Sequence, residues 1–285
     1  MSKYIKSPLN YTGGKYKILG DILPCFPINI GTFVDLFGGG FNVGVNVEAD
    51  KIIYNDHNVF LSQMFEYFKQ KGLIIIDDIY SRIAKYNLSE ENTEGYLELR
   101  KNYNKNKDIL DLFILTCYSF NHQIRFNSHH EFNTPFGKNR SAYNKKIEEN
   151  LIHFIDSLQN ENIEFYSKDF TFLYDLDLGA KDFVYADPPY LISNASYNDG
   201  KRGFKNWGVK EETQLLELLD YLNKKDVNFA LSNVLTHKGM TNDTLIKWSK
   251  KYHIKYIEKT YSNSSYQRKN KDKETQEVLI CNYKP

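Results

Sequence analysis

Short apolar runs recur along the chain, and the spacing of their apolar positions separates strands from helices. Continuous or alternating apolar residues predict strands, and such runs lie at 32–37, 52–56, 165–170, 183–186, 228–233, 254–257 and 277–283. Apolar residues that recur every three or four positions predict helices, and these patterns lie at 18–23, 60–68, 110–117, 211–222 and 245–248. The alternation predicts an α/β domain built on a largely parallel sheet.

Strand signals fade in the middle of the chain, where helical periodicity dominates. We therefore predict a discontinuous sheet domain over 1–60 and 165–285, interrupted by a mainly helical insertion over 61–164. A chain of 285 residues with 41% hydrophobic content is long and apolar enough for one large domain with such an insertion. Asn, Pro and Gly residues punctuate 121–140 and predict a hairpin near the end of the insertion.

Charge and cysteine content narrow the class of protein. The formal net charge is +1, so nucleic-acid binding cannot be argued from the overall balance and depends on where the charges lie. Cys25, Cys117 and Cys281 are widely spaced, and no secretory leader is recognisable, so we expect free thiols in a reducing cytoplasm. Charges or prolines interrupt every apolar run before it reaches the length of a membrane span, and no membrane association is predicted.

Basic residues collect in and after the predicted hairpin. Between 121 and 146 five basic side chains stand against one acid, Glu131; they are Arg125, Lys138, Arg140, Lys145 and Lys146. Asn, Gln and Arg, which can hydrogen-bond to purine edges in the major groove, interleave here with aromatic residues. The pattern suits a DNA-facing surface, and a solvated hairpin with a charged rim is the alternative. His122, His129 and His130 lack a carboxylate or cysteine at a ligand spacing, so no metal site is predicted.

Two later loops have no clear periodicity. Residues 197–207 contain glycine, asparagine and three basic residues, and we predict a mobile loop over the substrate. Residues 262–273 carry four basic residues against Asp272, which suits either a phosphate-contacting loop or a soluble turn.

A glycine-rich loop near the start of the chain precedes a helical pattern. Gly13 and Gly14 are followed by Lys15, and such a loop can cradle an anion at the start of a helix. It is not a P-loop, because Tyr16 stands where that motif has Ser or Thr. From the residues alone, a structural role is an equal alternative.

A second glycine loop, at 38–44, follows the strand predicted at 32–37 and leads into a predicted helix. Glycines allow a ligand to approach the backbone closely. Asp56 ends the next predicted strand, eighteen residues after Gly38. This spacing suits a nucleoside site in which an acid accepts hydrogen bonds from ribose hydroxyls, and NAD or FAD binding is an alternative at this point.

The strand predicted at 183–186 ends in the motif that carries the clearest chemistry. Asp187 is followed by Pro188, Pro189 and Tyr190, which combine a carboxylate, a stiffened backbone and an aromatic ring. Together they suit a flat hydrogen-bonding group such as a nucleobase with an exocyclic amine. The motif resembles the signature Asp/Asn/Ser-Pro-Pro-Tyr/Phe/Trp of the amino-methyltransferases that act on DNA, and in particular the Dam-like adenine-N6 group.

The resemblance implies a cofactor, S-adenosyl-L-methionine (AdoMet), and a Rossmann-like methyltransferase sheet. In Dam-like enzymes a stretch similar to 11–15, aromatic-x-Gly-Gly-Lys, folds against the cofactor site, and residues 35–40 are similar to the AdoMet motif with a triple glycine. The residues it assigns to AdoMet are Tyr11, Lys15, Asp35, Phe37, Gly38, Gly40, Asp56, Asp169 and Asp187. For Asp169 a helix cap is the alternative.

The order of the motifs resembles the α arrangement of the D12 class, with the cofactor loop first, the insertion next and the Asp-Pro-Pro-Tyr motif last. In this class the matching hairpin inserts into target DNA. The implied DNA contacts are Asn121, Gln123, Arg125, Asn133, Pro135 and Lys138. The stretches 124–128 and 204–208 also resemble type II modification methylases such as that of the EcoRV system. Dam-like enzymes that read GATC often carry an apolar residue at the position of Gln123, so the recognition sequence stays open.

The resemblance thus implies transfer of a methyl group from AdoMet to N6 of adenine in double-stranded DNA. Asp187 and the carbonyl of Pro188 would accept the two N6 hydrogens, and Tyr190 would stack on the flipped base. We expect a cytoplasmic monomer without metal, either with a cognate restriction endonuclease in a restriction-modification system or as an orphan or phage methylase. The alternatives are an amino-methyltransferase acting on RNA or protein glutamine, and a catalytically silent DNA-binding regulator. Asp187 and the hairpin argue against the former, and the intact Asp56, Asp187 and glycine loop against the latter.

Overall fold

The computed structural model describes residues 3–11, 13–192, 207–257 and 275–285. The strands in these ranges are β1 (Ile30–Asp35), β2 (Ala49–Asn55), β3 (Ile163–Tyr166), β4 (Phe183–Ala186), β5 (Asn228–His237), β6 (Met240–Thr241), β7 (His253–Ile257) and β8 (Gln276–Cys281). The helices are α1 (Leu19–Ile22), α2 (Val59–Lys71), α3 (Ile75–Lys85), α4 (Thr93–Asn106), α5 (Ile109–Tyr118), α6 (Lys145–Asn160), α7 (Val209–Lys224) and α8 (Asp243–Ser249).

The described strands form one sheet in the order β3-β2-β1-β4-β5-β8-β7, and β6 pairs with β5. The five strands from β3 to β5 are parallel, whereas β8 runs antiparallel to β5 and β7. The strand order reverses between β1 and β4, and ligands of open α/β sheets bind beyond the carboxyl ends of the strands at such a point. The topology confirms the predicted Rossmann-like α/β class.

Both faces of the sheet are covered, because successive strand residues enter opposite cores. In β1, Phe33 packs into the core that contains α2, α5 and α6, and the next residue, Val34, packs into the core that contains α7. In β4, Phe183 and Val184 divide in the same way. Strands buried on both faces read as continuous apolar runs, which is why the pattern at 183–186 predicted a buried strand.

The helix predicted after the second glycine loop does not form. Residues 36–48 cross from β1 to β2 with one short 3-10 turn, Gly44–Asn46, as their regular structure. Several glycines in thirteen residues disfavour a helix, since each costs about 1 kcal/mol relative to alanine. The Gly44 N–H is instead bound by the Asp35 carboxylate, with a distance of 3.0 Å to Oδ2. The crossover is therefore an irregular loop that faces the carboxyl ends of the strands.

The helices between β2 and β3 continue the core of one sheet face. α2 packs on β3, α6 packs on the Gly44–Asn46 turn, and α5 packs on α2, α3 and α4. A single apolar cluster joins Phe33 of β1 to Phe113 of α5 and to Phe126 beyond it. The division into a sheet domain and an insertion over 61–164 stays a prediction, since α2 and α6 lie against the sheet domain.

The predicted hairpin is irregular. Two antiparallel bridges, Ser119 with Phe136 and Phe126 with Phe132, close residues 119–138, which we call the recognition segment. The predicted mobile loop, except for Trp207, and the basic loop at 262–273 lie outside the described residues. No helix in the described ranges is long and apolar enough to cross a bilayer.

Candidate active site

A single cleft at the carboxyl ends of β1, β2 and β4 holds the predicted catalytic and cofactor residues. Its empty space is about 1120 Å³, including the open mouth. The sequence-predicted residues that line it are Tyr11, Lys15, Asp35, Phe37, Gly38, Gly40, Asp56, Asp169, Asp187, Pro188, Pro189 and Tyr190.

The floor of the cleft is the backbone of the second glycine loop, which two buried residues of β2 hold in place. Tyr54 donates its hydroxyl to the Gly39 carbonyl at 2.8 Å, and the Asn55 carbonyl accepts the Gly38 N–H at 2.8 Å. A Cβ on Gly38 would lie 2.4 Å from the Tyr54 ring, and Gly39 has a φ of +48°. Only glycine fits at these two positions, so the loop presents bare backbone to a ligand.

Three carboxyl groups line the cleft around this loop. Asp56 accepts the Gly39 N–H at 2.9 Å and the Asn58 N–H at 2.8 Å, and burial raises its pKa. Burial also raises the pKa of Asp35 to about 8, against the opposing hydrogen bond from Gly44. The third, Asp169, caps the 3-10 helix Phe170–Asp175 by accepting the Thr171 N–H at 3.1 Å. Asp169 is thus a helix cap that also lines the cleft.

Asp187 follows β4 and is held from two sides. The Lys15 ammonium lies 2.6 Å from Oδ2, and the Tyr190 hydroxyl donates to Oδ1 at 3.1 Å. The Asp187 side chain is 16% exposed and Lys15 is 7% exposed, so this ion pair is largely shielded from water. Burial raises the pKa of Asp187, and Lys15 is the strongest opposing influence. Lys15, predicted as a cofactor residue, is therefore also the counter-ion of the motif carboxylate.

Glu277, at the start of β8, is a member of this group that the sequence did not reveal. Its Oε1 accepts the Tyr190 hydroxyl at 3.3 Å and lies 3.8 Å from the Lys15 ammonium. The side chain is 3% exposed. No motif surrounds Glu277, and an acid inside an apolar strand pattern was the single available signal. Glu277 thus adds a second buried acid to the group around Asp187.

The recognition segment lies outside the cleft lining but is tied to it. Asn10 of the first glycine loop donates its amide to the Asn121 carbonyl at 3.2 Å. Asn121, Gln123 and Arg125 are exposed, whereas alternate residues face inward. The inward Phe126 stacks on Phe60 with ring centroids 4.5 Å apart. Three of the predicted DNA contacts are therefore open to solvent.

The remaining predicted DNA contacts lie on the returning part of the segment. The Asn133 N–H donates to the Arg125 carbonyl at 3.0 Å, and the Pro135 carbonyl accepts the Phe120 N–H at 2.8 Å. Asn133 is half-buried, and Pro135 and Lys138 are exposed. The segment brings all six predicted contacts together, although sequence reasoning could not give their orientation.

A sequence profile of the family described as D12 class N6 adenine-specific DNA methyltransferase matches residues 11–263. The chain belongs to this family. Several proteins are similar to this chain. The type II methyltransferase M.FokI of Planomicrobium okeanokoites is 50% identical over 283 residues, which are 99% of this chain and 43% of the relative. Modification methylase StsI of Streptococcus sanguinis is 48% identical over an alignment of 287 positions, which again covers 99% of this chain and 43% of the relative.

The DNA adenine methylase of Escherichia coli K12 is 27% identical over an alignment of 289 positions, which covers 97% of this chain and 95% of that protein. The chain thus spans less than half the length of the M.FokI and StsI proteins and nearly the whole length of the adenine methylase.

The cleft of this D12-class chain fits AdoMet, the methyl donor that the family implies. The backbone from Gly38 to Gly40 lines the cleft without side chains, and a Cβ at any of the three would crowd Tyr54 or Tyr11. Asp56 lies beside this loop, where an acid at the end of the second strand can accept ribose hydroxyls. Among the described residues, no three His, Cys, Asp or Glu side chains are grouped to hold a metal ion.

Proposed function

We propose that this chain transfers a methyl group from AdoMet to N6 of adenine in double-stranded DNA at a specific sequence. The observation that carries the proposal is the placement of Asp187, held by Lys15 and Tyr190, in the same cleft as the glycine loop. The family match and the relatives named as modification methylases support the reaction and a role in restriction-modification. A cognate endonuclease would be a functional partner, and we propose that the chain acts on DNA as a monomer.

The chain's part in this reaction is to orient a weak nucleophile. The lone pair of adenine N6 is conjugated with the ring, so N6 must be rehybridised before it can attack. One Asp187 oxygen and the Pro188 carbonyl would accept its two hydrogens and aim the lone pair. AdoMet supplies the electrophilic methyl group on its sulfonium. Holding nucleophile and methyl group in line supplies most of the rate.

Lys15 keeps the carboxylate ready to accept a hydrogen. Burial favours the neutral form of Asp187, and the ammonium at 2.6 Å favours the ionised form. Methylation of an amine releases one proton, and Asp187 can take it from N6 at its Oδ atoms. The Tyr190 hydroxyl connects Asp187 to Glu277, which offers a second buried carboxylate beside the first.

DNA would be read outside the cleft and the base delivered into it. The exposed Asn121, Gln123 and Arg125 can approach base edges, since Arg pairs with guanine and Asn or Gln with adenine. The Tyr190 ring is half-buried in the cleft lining and can stack on a flipped adenine.

The experiment that tests the proposal is expression in a methylation-deficient bacterial strain, followed by single-molecule sequencing of the genomic DNA. N6-methyladenine at one sequence motif is expected, and the Asp187→Ala variant should leave the DNA unmodified. A folded, AdoMet-binding protein that leaves DNA unmodified would overturn the proposal in favour of an RNA or protein substrate. A folded protein without AdoMet binding would instead favour a silent DNA-binding regulator.

A further inference from the structure

Three aromatic rings on the α7 side of the cleft form a continuous aromatic wall, consisting of Phe37, Phe170 and Trp207. Phe37 meets Trp207 edge to face, with centroids 5.5 Å apart and planes at 87°, and each ring lies 5.8 Å from Phe170. All three residues line the cleft. Phe37 precedes the glycine loop and Phe170 follows Asp169, so the wall stands beside the backbone and acids that suit a nucleoside.

Trp207 is held in this wall by a buried carboxylate. Its indole Nε1 donates to Glu212 Oε2 at 2.8 Å. The other oxygen, Oε1, accepts Asn233 Nδ2 at 3.2 Å and Asn242 Nδ2 at 2.9 Å. Glu212 is 1% exposed and lies in the first turn of α7, where a negative charge is favoured by the helix dipole.

The buried Glu212 carboxylate has one of its oxygens hydrogen-bonded to a residue that lines the cleft, Trp207. A buried carboxylate is stable only when its oxygens are hydrogen-bonded. The two asparagines, from β5 and from the residue before α8, tie Oε1 to the body of the protein, whereas Oε2 is bound to Trp207. Glu212 therefore connects the interior of the sheet domain to a ring at the cleft surface, and it fixes the plane of that ring.

We infer that Trp207 binds the adenine ring of AdoMet and that Glu212 is the positioning residue that orients Trp207 for this contact. The inference rests on the proposed function, since AdoMet must be the ligand of the cleft. A flat heteroaromatic ring packs against aromatic faces and edges. Two members of this wall adjoin the residues that suit a nucleoside, since Phe37 precedes the glycine loop and Phe170 follows Asp169. Tyr190 remains for the target base.

The chain offers a spectroscopic test, because it contains two tryptophans. In a Trp248→Phe background Trp207 becomes the sole reporter, and AdoMet or S-adenosylhomocysteine should change its fluorescence in a saturable way. Trp207→Ala should raise the AdoMet dissociation constant about tenfold by calorimetry, and Trp207→Phe should raise it less. If calorimetry shows that AdoMet binds and the fluorescence of Trp207 does not change at saturating AdoMet, Trp207 is not the residue that contacts the adenine ring.

Glu212→Gln isolates the positioning role. The amide can keep its carbonyl on the two asparagines and must then present N–H groups to the Trp207 N–H, donor against donor. We expect the AdoMet dissociation constant and KM to rise about three- to tenfold, with kcat and the KM for DNA within twofold of wild type. In a Trp207→Phe background, which lacks the indole N–H, the same substitution should have little further effect.

Asp220→Asn is the matched control. Asp220 lies on the same helix and accepts the indole N–H of Trp248 at 2.8 Å, away from the cleft. Both substitutions remove a carboxylate that binds a tryptophan, and each should lower stability, since Asp220 also accepts hydrogen bonds from Lys251 and Tyr252. AdoMet binding should change with Glu212→Gln alone. Equal effects of Glu212→Gln in the wild-type and Trp207→Phe backgrounds would show that Glu212 acts on the fold instead.

The outcomes separate this inference from the proposed function. Wild-type protein that does not bind AdoMet would contradict the proposed function. Wild-type protein that binds AdoMet and methylates DNA, with Trp207→Ala binding as tightly as wild type, would contradict the inference alone. If Glu212→Gln does not fold, Trp207→Phe and the fluorescence of Trp207 still decide the matter.

Discussion

The cleft and the recognition segment use side chains of similar polarity in opposite ways. In the cleft, Lys15, Asp187 and Glu277 are almost excluded from water and hold one another. In the recognition segment, the side chains of Gln123 and Arg125 are exposed, and backbone hydrogen bonds hold the segment in place. The cleft is thus organised before a ligand arrives, while the segment offers side chains that can be exchanged without disturbing the fold. Reaction and sequence choice should respond to mutation separately.

The largest expected effect is at the motif carboxylate. Asp187→Ala should reduce methyl transfer by about 10³-fold or more, because N6 loses its acceptor. AdoMet affinity should stay within a few-fold of wild type. The rate of methyl transfer by Asp187→Asn should lie between the rates of Asp187→Ala and the wild-type protein. Calorimetry and a tritium-transfer assay would measure both quantities. Equal loss of binding and transfer would place Asp187 chiefly in the cofactor pocket and weaken its assignment to the base.

Lys15→Met should lower transfer by about 10- to 100-fold at neutral pH. Lys15 opposes the burial that raises the pKa of Asp187, so its removal raises that pKa further. The reaction needs ionised Asp187, and the acidic limb of the profile of kcat against pH should therefore move to higher pH. Lys51→Met, which removes the ion pair with Glu164 at 2.8 Å outside the cleft, is the control. An unshifted profile would limit Lys15 to cofactor binding.

A methyl group on the floor of the cleft should cost binding as well as stability. The Cβ of Gly38→Ala would meet the Tyr54 ring at 2.4 Å, and the ring is enclosed in the core. We expect the AdoMet dissociation constant to rise at least tenfold and the melting temperature to fall. Gly20→Ala in α1 adds the same atom where no heavy atom lies within 4 Å, so it should leave AdoMet binding unchanged and should not lower the melting temperature. Matching results for the two variants would refute a packed loop.

On the recognition segment, Arg125→Ala should relax sequence choice while leaving AdoMet binding unchanged. A bidentate contact with guanine is worth about 1–3 kcal/mol of discrimination. Arg125→Lys keeps the charge but not the paired donors, so it should relax the choice nearly as much. Sequencing of methylated plasmid libraries would measure the preference. If Arg125→Lys keeps the full sequence preference, Arg125 contacts a phosphate, and the recognition segment would not read sequence through this residue.

The smallest effect concerns stability. The pKa of Asp35 is about 8 in the folded chain against 3.8 ordinarily. Between these values the unfolded chain has released a proton that the folded chain keeps, so stability falls as pH rises. Asp35→Asn should remove this slope and add about 1–3 kcal/mol to the free energy of unfolding at pH 8, with little gain near pH 4. Urea unfolding at pH 4 and pH 8 would measure the free energies of unfolding. The same dependence of stability on pH in Asp35→Asn and wild type would contradict the raised pKa of Asp35.

Local patterns predicted the elements well and their connections less well. The apolar run at 183–186 became β4 with the same bounds, while the strand predicted at 32–37 lies at 30–35. The helix predicted to follow the glycine turn at 38–44 was wrong, because a glycine loop before an apolar stretch resembles a helix start. The loop conformation depends on Tyr54 and Asn55, which are distant in sequence, and no local signal contains that contact.

By itself the sequence determined the α/β class, the acids at the strand ends and the Asp187 motif, since strand periodicity and turn chemistry are local properties of the chain. The tertiary structure decided which polar residues meet. Lys15, Tyr190 and Glu277 are far apart in sequence, and the strand order places them around one carboxylate. Trp207 likewise joins Phe37 and Phe170 through the packing of α7. Contacts between distant strand ends depend on sheet order, and sheet order is a property of the whole fold.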